Sequence, residues 1–278
     1  MQIITLTTDF GMQDWFVGTL KGVILGIAPR AAIVGITHEI PAGDIRAGAF
    51  ALAAGYRFFP KGTVHVAVVD PGVGGARKAI AVQTANYFFV GPDNGVLSCA
   101  LAKEKLKSVH RLENTDYFLQ QISHTFHGRD IFAPVAAHLS RGTPIREFGP
   151  AQKDFVRLPW PQPCVRRGCI EGEVVFTDRF GNAITNIEST SLKPKTEVDR
   201  SAGLRPGTTS VSGLNASGEV FAGRKRLCRV KAFYQSVPVG QAVAVPGSSG
   251  FLEIAVNGGS AAKRFGLKIG DRVQVRWP

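Results

Sequence analysis

Ile3-Ile4-Thr5-Leu6-Thr7-Thr8-Asp9-Phe10-Gly11 is a β-branched run that ends in a carboxylate and a glycine. Its first five residues read as a buried strand with Asp9 at the strand-to-loop transition. Two further runs of the same kind, Ala32–Thr37 and Val64–Val69, alternate with Phe16–Ile27 and Ile45–Phe59, whose apolar residues recur at the three-to-four spacing of amphipathic helices. That alternation predicts an α/β layer, a Rossmann-like domain with helices packed on a sheet. Strands are also expected at Ala79–Thr84 and Tyr87–Val90, and a helix from Asp130 through Leu139, stopped by Gly142. The domain is assigned residues 1–157. Pro159, Pro161 and Pro163 make 158–168 a linker, because proline breaks both helix and central strand. Beyond it, 169–278 shows short strands between Gly, Pro and Asn turns: Ile170–Phe176, Thr208–Leu214, Glu219–Ala222, Ala242–Val245, Phe251–Val256 and Arg272–Trp277. A small carboxy-terminal β-barrel domain is predicted.

The 278 residues are 44% hydrophobic and 19% charged, which excludes a disordered or fibrous chain. No run approaches the roughly 20 apolar residues of a membrane span. The first residues lack the pattern of a signal peptide, so a cytoplasmic location is expected. Cys99, Cys164, Cys169 and Cys228 include no two-residue spacing, and buried free thiols are expected, with neither disulfide nor metal. The net charge is +12, of which residues 1–150 carry +3 and residues 151–278 carry +9. Arg224-Lys225-Arg226, with Arg229 and Lys231, is the densest stretch, but no aromatic residue interleaves it before Phe233. Nucleic-acid modules set stacking aromatics beside their cations, so a solvated face is favoured over nucleic acid.

Open α/β sheets bind ligands at the carboxyl ends of their strands, and polar residues there are the candidates for chemistry. Asp9 can accept two hydrogen bonds from a ribose diol, or serve as a turn residue. Asp70-Pro71-Gly72-Val73-Gly74-Gly75 ends the third strand, with Arg77 just beyond. Arg77 stands where the dinucleotide fingerprint needs its third glycine, and the P-loop lysine pattern is missing as well. Asp70 and Arg77 can hold a reacting water between acceptor and donor, or simply pair to stiffen the loop. His127 precedes a helix and can carry a proton near neutral pH, with His124 as its competitor. In the barrel, Asp178-Arg179-Phe180-Gly181-Asn182 offers an amide for an adenine edge and a ring for its face, or a tight Asx turn. Ser248 and Ser249 can cradle a carboxylate or form a plain loop.

These motifs resemble the S-adenosylmethionine hydroxide adenosyltransferase family, hydrolytic relatives of fluorinase and chlorinase. The resemblance runs through Thr7-Thr8-Asp9-Phe10-Gly11, Ile36-Thr37-His38, Asp70-Pro71-Gly72-Val73-Gly74, Gly91-Pro92-Asp93-Asn94-Gly95, Gly128-Arg129-Asp130-Ile131-Phe132-Ala133-Pro134, Phe180-Gly181-Asn182 and Ser248-Ser249-Gly250. It implies attack of water or hydroxide on the ribose C5′ of S-adenosyl-L-methionine, giving adenosine and L-methionine, with no cofactor. It implies Asp70, Arg77 and His127 as catalytic residues and Asp9 on the ribose. Phe180 and Asn182 would meet adenine, Asp178 the methionine ammonium, Ser248 and Ser249 its carboxylate, and Glu253 and Val256 the rest of the nucleoside pocket. A homotrimer with sites between subunits is implied too. The halogenases carry Arg where Ser249 stands, Trp where Gly43 stands and an uncharged residue where Asp70 stands. The alternatives are a halide adenosyltransferase, a non-catalytic adenosine-binding module and a nucleic-acid-binding protein.

Overall fold

A computed structural model describes residues 2–192 and 218–277. The expected strand Thr208–Leu214 lies outside the described residues. The chain divides into two units, Met1–Trp160 and Pro161–Pro278.

In the first unit, the strands are β1 (Ile3–Thr8), β2 (Ala32–Thr37), β3 (Val64–Val68), β4 (Ala79–Thr84), β5 (Phe88–Pro92) and β6 (Leu106–Arg111). The helices are α1 (Phe16–Ile27), α2 (Ile45–Gly55), α3 (Ser98–Leu101) and α4 (Ala133–Ser140). The sheet order is β2-β1-β3-β5-β4-β6, parallel from β2 to β5 and antiparallel where β4 meets β5 and β6. Because β2 and β3 lie on opposite sides of β1, the chain reverses its direction of travel across the sheet there, and a crevice opens at the carboxyl ends of β1 and β3. Val17, Leu20 and Ile24 recur at three-to-four spacing on α1 and are buried. Leu20 and Ile24 join Phe132, Val135, Ala136 and Leu139 in a core over Ile4, Leu6, Val64, Val66 and Val90. The Asp44 side chain accepts from Ala47 N at 2.9 Å and so caps the start of α2.

Two expectations change here, and a third feature was not expected. The second helix ends at Gly55 and tightens into a 3₁₀ turn over Tyr56–Phe58 before Pro60. The helix expected from Asp130 starts earlier, in a π-helical turn over Gly128–Phe132 closed by Ala133 N donating to Gly128 O. The third is β6, whose Leu-Lys-Ser-Val-His-Arg sequence hides its strand character because only Val109 and His110 are buried.

Among the described residues of the second unit, β7 (Cys164–Arg166), β8 (Cys169–Thr177), β9 (Ala183–Glu188), β10 (Glu219–Ala222), β11 (Lys225–Arg229), β12 (Ala242–Pro246), β13 (Phe251–Val256) and β14 (Arg272–Arg276) accompany one short α-helix, α5 (Ala261–Phe265). The order β11-β10-β14-β8-β9-β13-β12 is antiparallel throughout, and a bridge between Val230 and Ala244 nearly closes it into a barrel. Val174, Ile187, Val220, Ala244, Leu252, Ile254, Val273 and Val275 fill the interior. The residues after Pro163, expected in the linker, form edge strand β7 instead, paired with β8 on one side only. The expectation of buried thiols fails at Cys164, which is exposed because it stands on that edge strand; Cys99 and Cys169 are half-buried and Cys228 is buried. Among the described residues no helix is long and apolar enough to cross a membrane, and no group of three or more His, Cys, Asp or Glu side chains is arranged for a metal ion.

His65 on β3 is fully buried, its Nδ1 2.7 Å from Thr5 Oγ1 on β1. Burial lowers its pKa from 6.5 to about 3. A folded-state pKa below the unfolded one gives stability that is complete above the unfolded value and is lost as pH falls toward the folded one. His65 should therefore cost about 2 kcal/mol of unfolding free energy between pH 7 and pH 5. Urea titrations at both pH values should show this loss and a clearly smaller one in His65→Gln; equal losses would contradict it.

Candidate active site

At the carboxyl ends of β1 and β3 lies a cavity of about 500 Å³ lined by Asp9, Asp70, Pro71, His127 and Gly43, with an aromatic wall of Phe10, Phe16 and Phe126. The three rings stand 5.1–5.8 Å apart. Asp9 is oriented by its Oδ2, which accepts from Gly43 N at 2.8 Å. Two loops supply the rest, one from Asp70 to Arg77 and one from Ser123 to His127. Gly74 lets them meet: its φ is +75°, and a Cβ there would lie 2.2 Å from the His124 carbonyl oxygen. The second loop is pinned from below by fully buried Asp130, whose Oδ2 accepts from Ser123 N at 2.9 Å and whose Oδ1 accepts from Arg129 Nε at 2.6 Å. Burial alone would raise the Asp130 carboxyl; the bonds from Arg129 and Ser123 outweigh it and hold the group below its usual range.

Arg77 does not line the cavity; it sits behind and ties the other two candidates together. Its Nε donates to both Asp70 oxygens, at 3.0 and 2.9 Å, and its Nη2 pairs closely with Oδ2. Nη2 also lies 2.8 Å from His127 Nδ1, and the guanidinium carbon stands 5.4 Å over the ring of buried Phe132. A guanidinium only donates, so His127 Nδ1 must accept, and the neutral ring carries its proton on Nε2. Burial, then the Arg77 charge, lowers the His127 pKa below 6.5, against the opposing pull of Asp70 and Asp130. Near neutral pH the imidazole is thus a donor at Nε2, and the carboxylate of Asp70 is the proton acceptor of the three. Asp70 and His127, both candidates for proton transfer, thus differ in what they can do.

The barrel has its own pocket, of about 830 Å³, lined by Asp178, Phe180, Asn182, Ser248, Glu253 and Val256. Ser249 is not in the lining; its Oγ is buried without a hydrogen-bond partner among the described residues. Asp178 makes the tight turn, its Oδ1 accepting from Phe180 N at 2.9 Å and Asn182 N at 2.8 Å, while Oδ2 accepts from Asn182 Nδ2 at 2.9 Å. Asn182 keeps its carbonyl oxygen for another donor, and the turn leaves the Phe180 ring 76% exposed. Sequence reading missed Phe233, Tyr234, Gln235 and Asn257, which also line this pocket and lie outside any recognisable spacing. Tyr234 Oη donates to Glu253 Oε2 at 2.6 Å, and burial raises the Glu253 pKa, helped by Asp178 and opposed by Tyr234. Among the described residues no Lys or Arg lines the pocket. The basic stretch lies elsewhere: Arg224, Lys225, Arg226 and Arg229 are exposed, and Glu219 pairs with Arg226 at 3.4 Å and Arg229 at 3.2 Å.

These features define a class: an α/β unit with an acidic cleft at its switch point, joined to a β-barrel with an acidic, aromatic pocket. Residues 4–149 match the amino-terminal domain model of the SAM hydroxide adenosyltransferases and residues 172–274 the carboxy-terminal one. The chain belongs to this family. It is 38% identical over 275 residues to an (R)-S-adenosyl-L-methionine hydrolase of Salinispora tropica, covering 98% of this chain and 97% of that one. It is 37% identical to one of Thermus thermophilus, covering 99% and 100%. A fluorinase of an Actinoplanes species is more distant, at 28% identity over 98% and 97% of the two chains. The solved structure of an uncharacterized conserved protein from Thermotoga maritima superposes with a TM-score of 0.87 at 38% identity, covering 99% of each chain.

Long-range proton–nitrogen NMR of the unliganded protein at pH 7 should show His127 neutral with its proton on Nε2. Arg77→Ala should relax that preference. A His127 protonated on Nδ1 in the unaltered protein would contradict the hydrogen-bond direction derived above.

Proposed function

We propose that the protein hydrolyses S-adenosyl-L-methionine to adenosine and L-methionine by attack of water on the ribose C5′. The observation that carries this reading is the Asp70–Arg77–His127 chain at the rim of the same cavity as Asp9. A sulfonium is already a good leaving group and needs no acid, so the demand on the enzyme is to hold a water in line with the C–S bond. Asp70 takes the proton released as the C–O bond forms, and the His127 Nε2–H orients the water oxygen. Arg77 acts from behind by fixing both. An anionic Asp70 repels a halide, which favours water over chloride or fluoride as nucleophile. Asp9 binds the ribose diol, Phe180 and Asn182 the adenine, and Asp178 the methionine ammonium. Ser248, with Ser249 beside it, meets the methionine carboxylate, and Glu253 and Val256 complete the pocket. Among the described residues the barrel pocket is lined by Asp178 and Glu253 and by no cation, which supports a cationic ligand. The curated relatives are named for the (R) substrate, and we extend that sulfonium preference to this chain. The reaction uses no cofactor. The assembly is a homotrimer, each site built from the cleft of one subunit and the barrel of the next.

Incubation with each sulfonium epimer should release adenosine and methionine in equal amounts, faster from (R). Asp70→Asn should lower kcat by about 10²–10⁴-fold. Formation of 5′-halo-5′-deoxyadenosine at rates rivalling hydrolysis would overturn the hydrolase reading, and a fully active monomer in sedimentation would overturn the shared site.

A further inference from the structure

The hairpin of β7 and β8 brings together two of the four cysteines. Arg166 stands directly across from Cys169, and Cys164 across from Glu171. Side chains alternate along a strand, so Cys164, Arg166, Cys169 and Glu171 share one face, with the two sulfurs in diagonal positions. Cys164 is exposed and Cys169 half-buried. The Arg166 charge interacts electrostatically with Cys164, Cys169 and Glu171. On the other side of Cys169, Arg276 of β14 occupies the same row. We propose that Cys164 and Cys169 form a peroxide-oxidised thiol pair, with Cys164 as the attacking sulfur and Cys169 as the resolving one. This is independent of the hydrolytic reading.

Cys164 is the exposed sulfur of the pair, and peroxides react at accessible thiols. Diagonal residues lie about 7–8 Å apart, against roughly 4.4–6.8 Å between the Cα atoms of a disulfide. Bridging therefore requires β7 to shift by about 1–2 Å. The strand has only three residues, all exposed, and among the described residues it pairs with β8 alone. The other two thiols are bystanders, since burial pushes Cys99 up to about 11 and Cys228 up to about 12. The Cys164 thiolate attacks one oxygen of hydrogen peroxide; an S–O bond forms, the O–O bond breaks, and the departing hydroxide takes up a proton as water. The sulfur, now a sulfenic acid, has given up two electrons. The Cys169 thiolate then attacks it, the S–S bond forms, the S–O bond breaks, and hydroxide leaves to take the proton of the Cys169 thiol as a second water.

The test treats the reduced full-length protein with one equivalent of hydrogen peroxide and maps its tryptic peptides. A cross-link is expected between the peptide ending at Arg166 and the one beginning at Gly168, about 2 Da lighter than the two thiols and reversed by dithiothreitol. Cys164→Ser should abolish it, and Cys169→Ser should leave a sulfenic acid on Cys164 that dimedone traps. No oxidation, oxidation first at Cys99 or Cys228, or disulfides only between copies of the chain would each overturn the proposal.

Discussion

The guanidinium of Arg77 is held by Asp70 on its edge, shares Nη2 with His127 and rests its face over Phe132. Arg77 thereby ties Asp70, at the end of β3, to His127, which precedes the π-helical turn. The pairing also decides protonation. Because the guanidinium can only donate, it leaves His127 with its proton on Nε2 and makes Asp70 the proton acceptor. Its side chain and that of Asp70 are 11% and 5% exposed, so their attraction is little screened by water. Geometry and proton inventory thus follow from one side chain that does not itself reach the cavity.

The rest of the first unit places that chain. The crevice exists because β1 has β2 on one side and β3 on the other, and Asp9 and Asp70 follow the two strands that flank it. Gly74 lets the two loops close on each other, and Asp130 anchors the second loop by its backbone. In the second unit a different balance holds. In a domain with a strong positive excess, Arg224, Lys225, Arg226 and Arg229 are exposed, two of them paired with Glu219, while Asp178 and Glu253 line the pocket. Local acid therefore outweighs global base where a ligand would sit, which is why the net charge of +12 was a poor guide to the partner.

Much of this was legible from the residues. The strands β1 and β4 follow from their β-branched and apolar runs because nearly every residue of each is buried, and the helix α1 because Val17, Leu20 and Ile24 form one buried stripe. Strand β2 shows the same kind of run but, at the sheet edge, buries none of its residues fully. Two kinds of strand escaped notice, those whose polar residues turn inward and those whose basic residues face solvent. On β9, Thr185 and Asn186 are buried, bonded to the Leu252 carbonyl and the Glu173 amide, so the run does not read as apolar. On β11 three of five residues are basic and exposed. Asp9, Asp70 and His127 could be picked out because strand ends and helix starts are where open α/β sheets place ligands. Tyr234 and Asn257 could not, since they converge on the pocket only through barrel closure. Nor could spacing reveal the Arg77–His127 bond, which spans 50 positions and sets the tautomer.

The central claim is that Asp70, Arg77 and His127 hold a water for attack on C5′ of S-adenosyl-L-methionine. Turnover in water enriched in oxygen-18, with mass spectrometry of both products, tests it most directly. The account predicts one oxygen-18 atom in the 5′-hydroxyl of adenosine and none in methionine. Adenosine lacking the label, or a sulfur-bearing nucleoside released in its place, would contradict it.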